Sequence, residues 1–202
     1  MFDSRLRKLI DPPLDRLGGA LARAGVGANS VTLAGFALGL LAVALIAFGL
    51  PLAALVPLLL GRLADGLDGA IARTAGRTDF GGFLDITCDF IVYGAVPLGF
   101  VLADPVANGA AGAVLLASFY ANGSAFLAFA AVAERRGMES RAQGAKTLYY
   151  VGGLLEGGET IALFVLFCLF PSWFAPLAWG FGALCFVSAG ARMLLAWRIF
   201  GA

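Results

Sequence analysis

Histidine is absent from this sequence. That removes the commonest general base and the commonest metal-ligating side chain. Carboxylates remain, and they favour hard cations such as Mg2+ or Mn2+. Charge is scarce as well. Only 13% of residues are Asp, Glu, Lys or Arg, against roughly 25% in soluble domains, too few to cover a water-exposed surface. Cysteine is limited to Cys88, Cys168 and Cys185. An odd number without metal-ligand spacing argues against a disulfide framework or a thiolate site, and all three read as small buried hydrophobes. A short apolar core followed by a small-residue cleavage site is also lacking near the N-terminus. The first long apolar run, from Val31, is therefore expected to be retained as a span. The net charge of +1 gives no sign of a nucleic-acid partner.

What is present is apolar. Hydrophobic residues make up 60% of the chain, and the mean hydropathy is +0.90. A spanning helix needs about 20 mostly apolar residues. The expected fold is all-α and integral to the membrane, with six transmembrane helices at about 30–50, 51–72, 81–103, 106–133, 147–170 and 174–199. Gly49-Leu50-Pro51, the polar stretch from Arg73 to Asp79, Asp104-Pro105, the long polar segment from Glu134 to Lys146 and Phe170-Pro171-Ser172-Trp173 separate them. Trp173 and Trp179 suit a membrane interface. Residues 1–24 are set apart as an N-terminal amphipathic juxtamembrane helix on the cytoplasmic surface. Leu6, Leu9, Ile10, Leu14, Leu17 and Leu21 recur there at helical spacing among basic residues, and Pro12-Pro13 is expected to kink it. Residues 25–202 are expected to form the six-helix transmembrane domain. Lys and Arg fall at the N-terminus, in the second and fourth loops or at the helix ends on the same side, which marks that side and both termini as cytoplasmic.

The chemistry concentrates in two neighbouring stretches. Arg62-Leu-Ala-Asp65-Gly66-Leu-Asp68-Gly69-Ala-Ile-Ala72-Arg73 is followed shortly by Gly81-Gly-Phe-Leu-Asp85-Ile-Thr-Cys-Asp89. Spacings of three and four put each pair of aspartates on one helix face. A short loop between the helices predicts antiparallel neighbours with all four carboxylates facing one another at the inner membrane edge. One aspartate at a helix centre costs on the order of 2.5–3.5 kcal/mol, and four together repel. Two divalent cations would neutralise them, an arrangement suited to phosphoryl-type displacement. A single aspartate at a helix end is ordinarily solvated; four at helical spacing among Gly66, Gly69, Ala72 and Gly81 are not. Those small residues are expected to leave the backbone open to a bulky ligand.

Asp65, Asp68, Gly69, Ala72, Arg73, Gly81, Asp85 and Asp89 fill every position of a motif that resembles the signature of the CDP-alcohol phosphatidyltransferases. The resemblance implies a membrane enzyme of phospholipid biosynthesis. It would transfer a phosphatidyl group from CDP-diacylglycerol, or another CDP-alcohol, to an acceptor hydroxyl and release CMP. It implies two divalent cations, Mg2+ or Mn2+, held by Asp65, Asp68, Asp85 and Asp89. Asp89 would also be the general base. Gly69, Arg73 and Thr78 would line the CDP site, with Asn29 and Thr32 nearby, although Asn29 and Thr32 also read as a helix cap. Membrane lipids and a second copy in a homodimer are the implied partners, and a bacterial inner membrane the implied location.

The acceptor alcohol stays open. Lys146, Glu156 and Arg192 are candidate contacts, because ionisable groups within spanning segments are functional candidates by default. The Asp-x-Thr-Cys-Asp run resembles inositol-phosphate-using relatives, whereas Tyr93-Gly94-Ala-Val-Pro97 resembles serine-using ones. Two alternatives stand beside this reading: a divalent-cation transporter or channel, and a choline/ethanolamine-type phosphotransferase with a lipid acceptor.

Overall fold

The computed structural model describes residues 3–138 and 157–201, with side chains from residue 12 onward in the first helix. The described residues form α1 (Asp3–Arg23), α2 (Ala28–Ala47), α3 (Pro51–Ala75), α4 (Asp79–Ala103), α5 (Pro105–Arg135), α6 (Gly157–Leu169), a 3₁₀ turn at Pro171–Trp173 and α7 (Phe174–Phe200). No strand occurs among them.

Local chemistry explains the breaks. Gly49 has φ 75°, a left-handed conformation that costs glycine little. Its N–H bonds Ile46 O and the Leu50 N–H bonds Leu45 O, both at 2.9 Å, the paired pattern that closes a helix. Pro51 then opens α3, where its missing N–H is no loss. Gly76, at φ 105°, ends α3. Thr78 starts α4 by accepting from the Gly81 N–H at 3.0 Å, and Asp104 starts α5 by accepting from Ala107 N–H at 2.9 Å. The expected kink at Pro12-Pro13 is not a break, since α1 runs through both prolines.

Four described helices are long and apolar enough to cross a bilayer: α2, α4, α5 and the Pro171–Phe200 segment containing α7. The expected count of six is thus met only in part. α3 has the length but carries Arg62, Asp65, Asp68 and Arg73 from about its midpoint onward. α6 is apolar but has 13 described residues; residues 147–156 of the expected fifth span lie outside the described part. Large apolar side chains such as Leu52, Val56, Leu98, Leu102, Val187 and Leu194 point outward, as lipid-facing residues do.

The core lies between the helices and is richest in aromatics where α4, α6 and α7 meet. Phe100, Phe167 and Phe174 stack there with centroids 4.6–5.5 Å apart. Farther along, Phe164 meets Tyr93 edge-on at 6.1 Å. α2 packs on both α3 and α4. A Cβ on Gly35 would come within 3.2 Å of Gly61 O, and one on Gly61 within 3.1 Å of Gly35 O. Small residues at such a crossing let backbones approach closely. The crossing lies one turn before Asp65 on α3 and one turn after Thr32 on α2, so it sets the reach between those helices.

α1 is not merely laid on a surface. Its second half packs on α3. Leu14 is buried over Gly66, whose Cβ position lies 2.8 Å from Leu14 Cδ1, and Gly18 abuts Ala70.

Candidate active site

The aspartates occupy the end of α3 and the start of α4. The expected α3–α4 pairing is made by side chains rather than by close helix packing: both helices pack mainly on α2, and an open cavity lies among the three. α2 contributes Thr32, Gly35, Phe36 and Gly39 to its wall. α3 contributes Leu58, Gly61, Arg62, Asp65 and Asp68, and α4 contributes Asp85, Cys88, Asp89 and Val92. Side chains of α3 and α4 meet across this cavity, Arg62 reaching Asp89, while each helix packs on α2.

All four predicted aspartates reach this cavity, but they divide. Asp65, Asp68 and Asp85 each offer a carboxylate oxygen, and these lie within 4.8 Å of one another. Asp68 is the most buried, 5% exposed; Thr32 Oγ1 donates to its Oδ2 at 2.5 Å, with Ala28 O 3.1 Å away. Thr32 is therefore no helix cap. The cap position of α2 is Gly27, which makes no side-chain bond. Asp89 is not part of the group of three and is bridged to it by Arg62. Arg62 Nη2 donates to Asp89 Oδ1 at 2.6 Å and lies 3.1 Å from Asp65 Oδ1. Arg62 Nη1 donates to Tyr93 Oη at 3.1 Å, and the guanidinium carbon stands 5.7 Å from the centre of the Tyr93 ring.

Of the candidate nucleotide residues, Thr32 lines the cavity and the other four fall into two groups. Asn29 and Thr78 meet over Gly81, where a Cβ would lie 3.1 Å from Asn29 Oδ1 and 2.9 Å from Thr78 Oγ1. Gly69 and Arg73 share the other group: a Cβ on Gly69 would lie 3.3 Å from Arg73 Nη1. Asp15 of α1 accepts from Arg73 Nε at 3.1 Å and from Nη2 at 2.6 Å. The small residues thus serve the protein as well as open space, contrary to expectation, since Gly66 admits Leu14 and Gly81 admits Asn29 and Thr78.

Arg192 is not in the cavity wall. It is 7% exposed, donates to Asn122 O at 3.1 Å and Asn122 Oδ1 at 3.0 Å, and sits 5.4 Å from the Phe126 ring centre. It belongs to the α5–α7 packing. Lys146 and Glu156 lie outside the described residues.

Sequence reading gave Arg62 no role beyond orienting the chain, and it gave Asp15 none. Arg62 carried a usable signal. It sits three residues before Asp65 in an apolar helix, hence on the same face. Tyr93 likewise follows Asp89 by four. Asp15 carried no such signal, because its partner is fifty-eight residues away.

The donor set suits hard divalent cations. Three converging carboxylates with no imidazole form an all-oxygen site, which favours magnesium or manganese over zinc or copper.

The profile of the CDP-alcohol phosphatidyltransferase family matches residues 25–198. Escherichia coli K12 has an inner membrane protein, YnjF, that is 51% identical over 193 residues, 96% of this chain and 94% of that protein. An archaetidylinositol phosphate synthase of Pyrococcus horikoshii is 37% identical over 100 residues, 49% of this chain and 53% of its own. Two crystal structures of Mycobacterium tuberculosis phosphatidylinositol phosphate synthase share the fold. One, with CDP-DAG bound, has a TM-score of 0.68 at 22% identity and covers 91% of this chain and 93% of that one. The other, in complex with manganese and citrate, has a TM-score of 0.70 at 23% identity, covering 91% and 88%.

Proposed function

The chain belongs to the CDP-alcohol phosphatidyltransferase family, and from that premise we propose that it transfers a phosphatidyl group from CDP-diacylglycerol to the hydroxyl of a small alcohol, releasing CMP. The observation that carries this reading is the convergence of Asp65, Asp68 and Asp85 within 4.8 Å, with Asp89 in the same cavity.

The acceptor oxygen attacks the β-phosphorus, a new P–O bond forms, and the bond to the CMP oxygen breaks. Divalent cations, when bound, neutralise the diphosphate and the leaving group. Asp65, Asp68 and Asp85 would hold the first, and Asp89 with Asp65 and Asp85 the second. Asp89 would take the acceptor's hydroxyl proton, the role the family resemblance implies for it and one open to a carboxylate. Arg73, beside Gly69, would face the diphosphate, and Asn29, Thr32 and Thr78 the remainder of the nucleotide. Lys146, Glu156 and Arg192 stay as candidates for the acceptor side.

The proposal includes six spans, α1 on the cytoplasmic face, an inner-membrane location with the site and both termini cytoplasmic, and a homodimer. The family match favours transfer over cation transport. Purified protein is to be given CDP-diacylglycerol, Mn2+ or Mg2+, and a panel of acceptors: serine, glycerol phosphate, inositol, inositol phosphate and a diacylglycerol. CMP release that depends on one acceptor supports the proposal and names the alcohol. No release with any acceptor, alongside Mn2+ flux into proteoliposomes, would replace it with the transporter reading.

A further inference from the structure

We infer that Arg62 makes the two cation positions unequal: the carboxylates of Asp65, Asp68 and Asp85 take a first divalent cation unaided, whereas Asp89 stays bound to Arg62 until a nucleoside diphosphate draws in a second. The inference rests on the proposed reading of this cavity as a cation site and concerns how that site fills.

Two observations carry it. The first is the division of the acids. The compact group contains Asp65, Asp68 and Asp85; Arg62 touches it through Asp65 at 3.1 Å and holds Asp89, outside the group, more closely at 2.6 Å. The second is how firmly Arg62 is placed. One nitrogen spans Asp89 on α4 and Asp65 on α3, another donates to Tyr93 Oη, and the Tyr93 ring lies beside the guanidinium. A guanidinium keeps its charge at all accessible pH values. It is therefore a fixed cation beside the same oxygens that a second metal ion would need.

Charge then orders the events. Four carboxylates and one guanidinium leave the cavity three charges negative. A first dication reduces this to one negative charge. A second would leave an uncompensated positive charge close to Arg62, and like charges at such distances in a partly desolvated site repel strongly. A diphosphate brings at least two negative charges and removes that obstacle. Arg62 is thus a positioning residue: it acts on the cation through Asp89 and Asp65, and it keeps the fourth acid paired before substrate arrives.

The test is Mn2+ titration of the purified chain in detergent, followed by loss of the free-Mn2+ paramagnetic resonance signal and requiring no turnover. Wild type, Arg62→Gln and Arg62→Lys are each titrated alone and with CDP. Expected for wild type is one tight Mn2+ per chain and a second at least about tenfold weaker, with the gap closing when CDP is added. Arg62→Gln should bind two with comparable affinity without CDP, and Arg62→Lys should keep the gap because it keeps the charge. Two equal sites in wild type without CDP, or an unchanged gap in Arg62→Gln, overturns the inference alone. If Arg62→Gln does not fold, the wild-type titration with and without CDP still decides it. No Mn2+ uptake by wild type overturns the cation-site reading and the inference with it.

Discussion

Thr32 on α2 donates to Asp68 on α3 at 2.5 Å, across thirty-six residues of sequence. The bond joins the helix on which both aspartate-bearing elements pack to the most buried of the four acids. It fixes one carboxylate oxygen, Oδ2, toward α2.

Thr32→Val keeps the shape and removes the hydroxyl. A hydrogen bond to a charged group contributes about 1.5–3 kcal/mol, so CMP release is expected to fall by about tenfold or more. Thr32→Ser should retain most of it. Steady-state rates of both variants, with melting curves to confirm folding, check this; equal rates for Val and wild type would contradict it.

On the proposed mechanism, Asp89→Asn removes the proton acceptor while preserving an oxygen for Arg62. Turnover should drop by about 10²–10⁴-fold, the usual range for a positioned acid or base, with the melting temperature little changed. Wild-type-like CMP release by a folded Asp89→Asn protein would refute the role given to Asp89.

Asp15 and Arg73 pair on an exposed surface, with side chains 52% and 41% accessible. Such pairs contribute about 0–1 kcal/mol. Asp15→Asn is therefore expected to shift stability by less than about 1 kcal/mol. Arg73→Ala is expected to raise the KM for the CDP-alcohol by about tenfold, matching the loss of a charged hydrogen bond. Equal KM values for Arg73→Ala and wild type would remove Arg73 from the diphosphate site.

Gly35→Val tests the α2–α3 crossing. Its Cβ would already stand 3.0 Å from Ala64 Cβ and 3.2 Å from Gly61 O, and the branched methyls add to the crowding. Overpacking of this kind costs about 1–3 kcal/mol, and displacing α2 also pulls Thr32 from Asp68. Gly109→Ala, where nothing lies within 4 Å, is the control that should stay within about 0.5 kcal/mol of wild type. Thermal unfolding in one detergent compares the two directly.

Periodicity and composition were enough for the helical class, for the breaks at Gly49-Leu50-Pro51 and Asp104-Pro105, and for each pair of aspartates sharing a helix face. Each depends on residues within one or two turns of one another, where helix geometry alone fixes the face. The pairing of Asp65 with Asp68 and of Asp85 with Asp89 is of this kind. The separation of Asp89 from the other three is not. It depends on Arg62 reaching across from α3 to α4, and an extended guanidinium has several competing carboxylates to choose from.

What the amino-acid order determined by itself was which side chains lie on one face of each helix, and hence that acids without histidine gather where α3 ends and α4 begins. Only the tertiary structure decided that α3 and α4 both pack on α2, that Leu14 of α1 fills the space over Gly66, and that Thr32 and Arg62 hold different aspartates. The reason is physical: helical spacing is set by local backbone hydrogen bonds, whereas the neighbour that fills a given face is chosen by close packing among segments far apart in the chain.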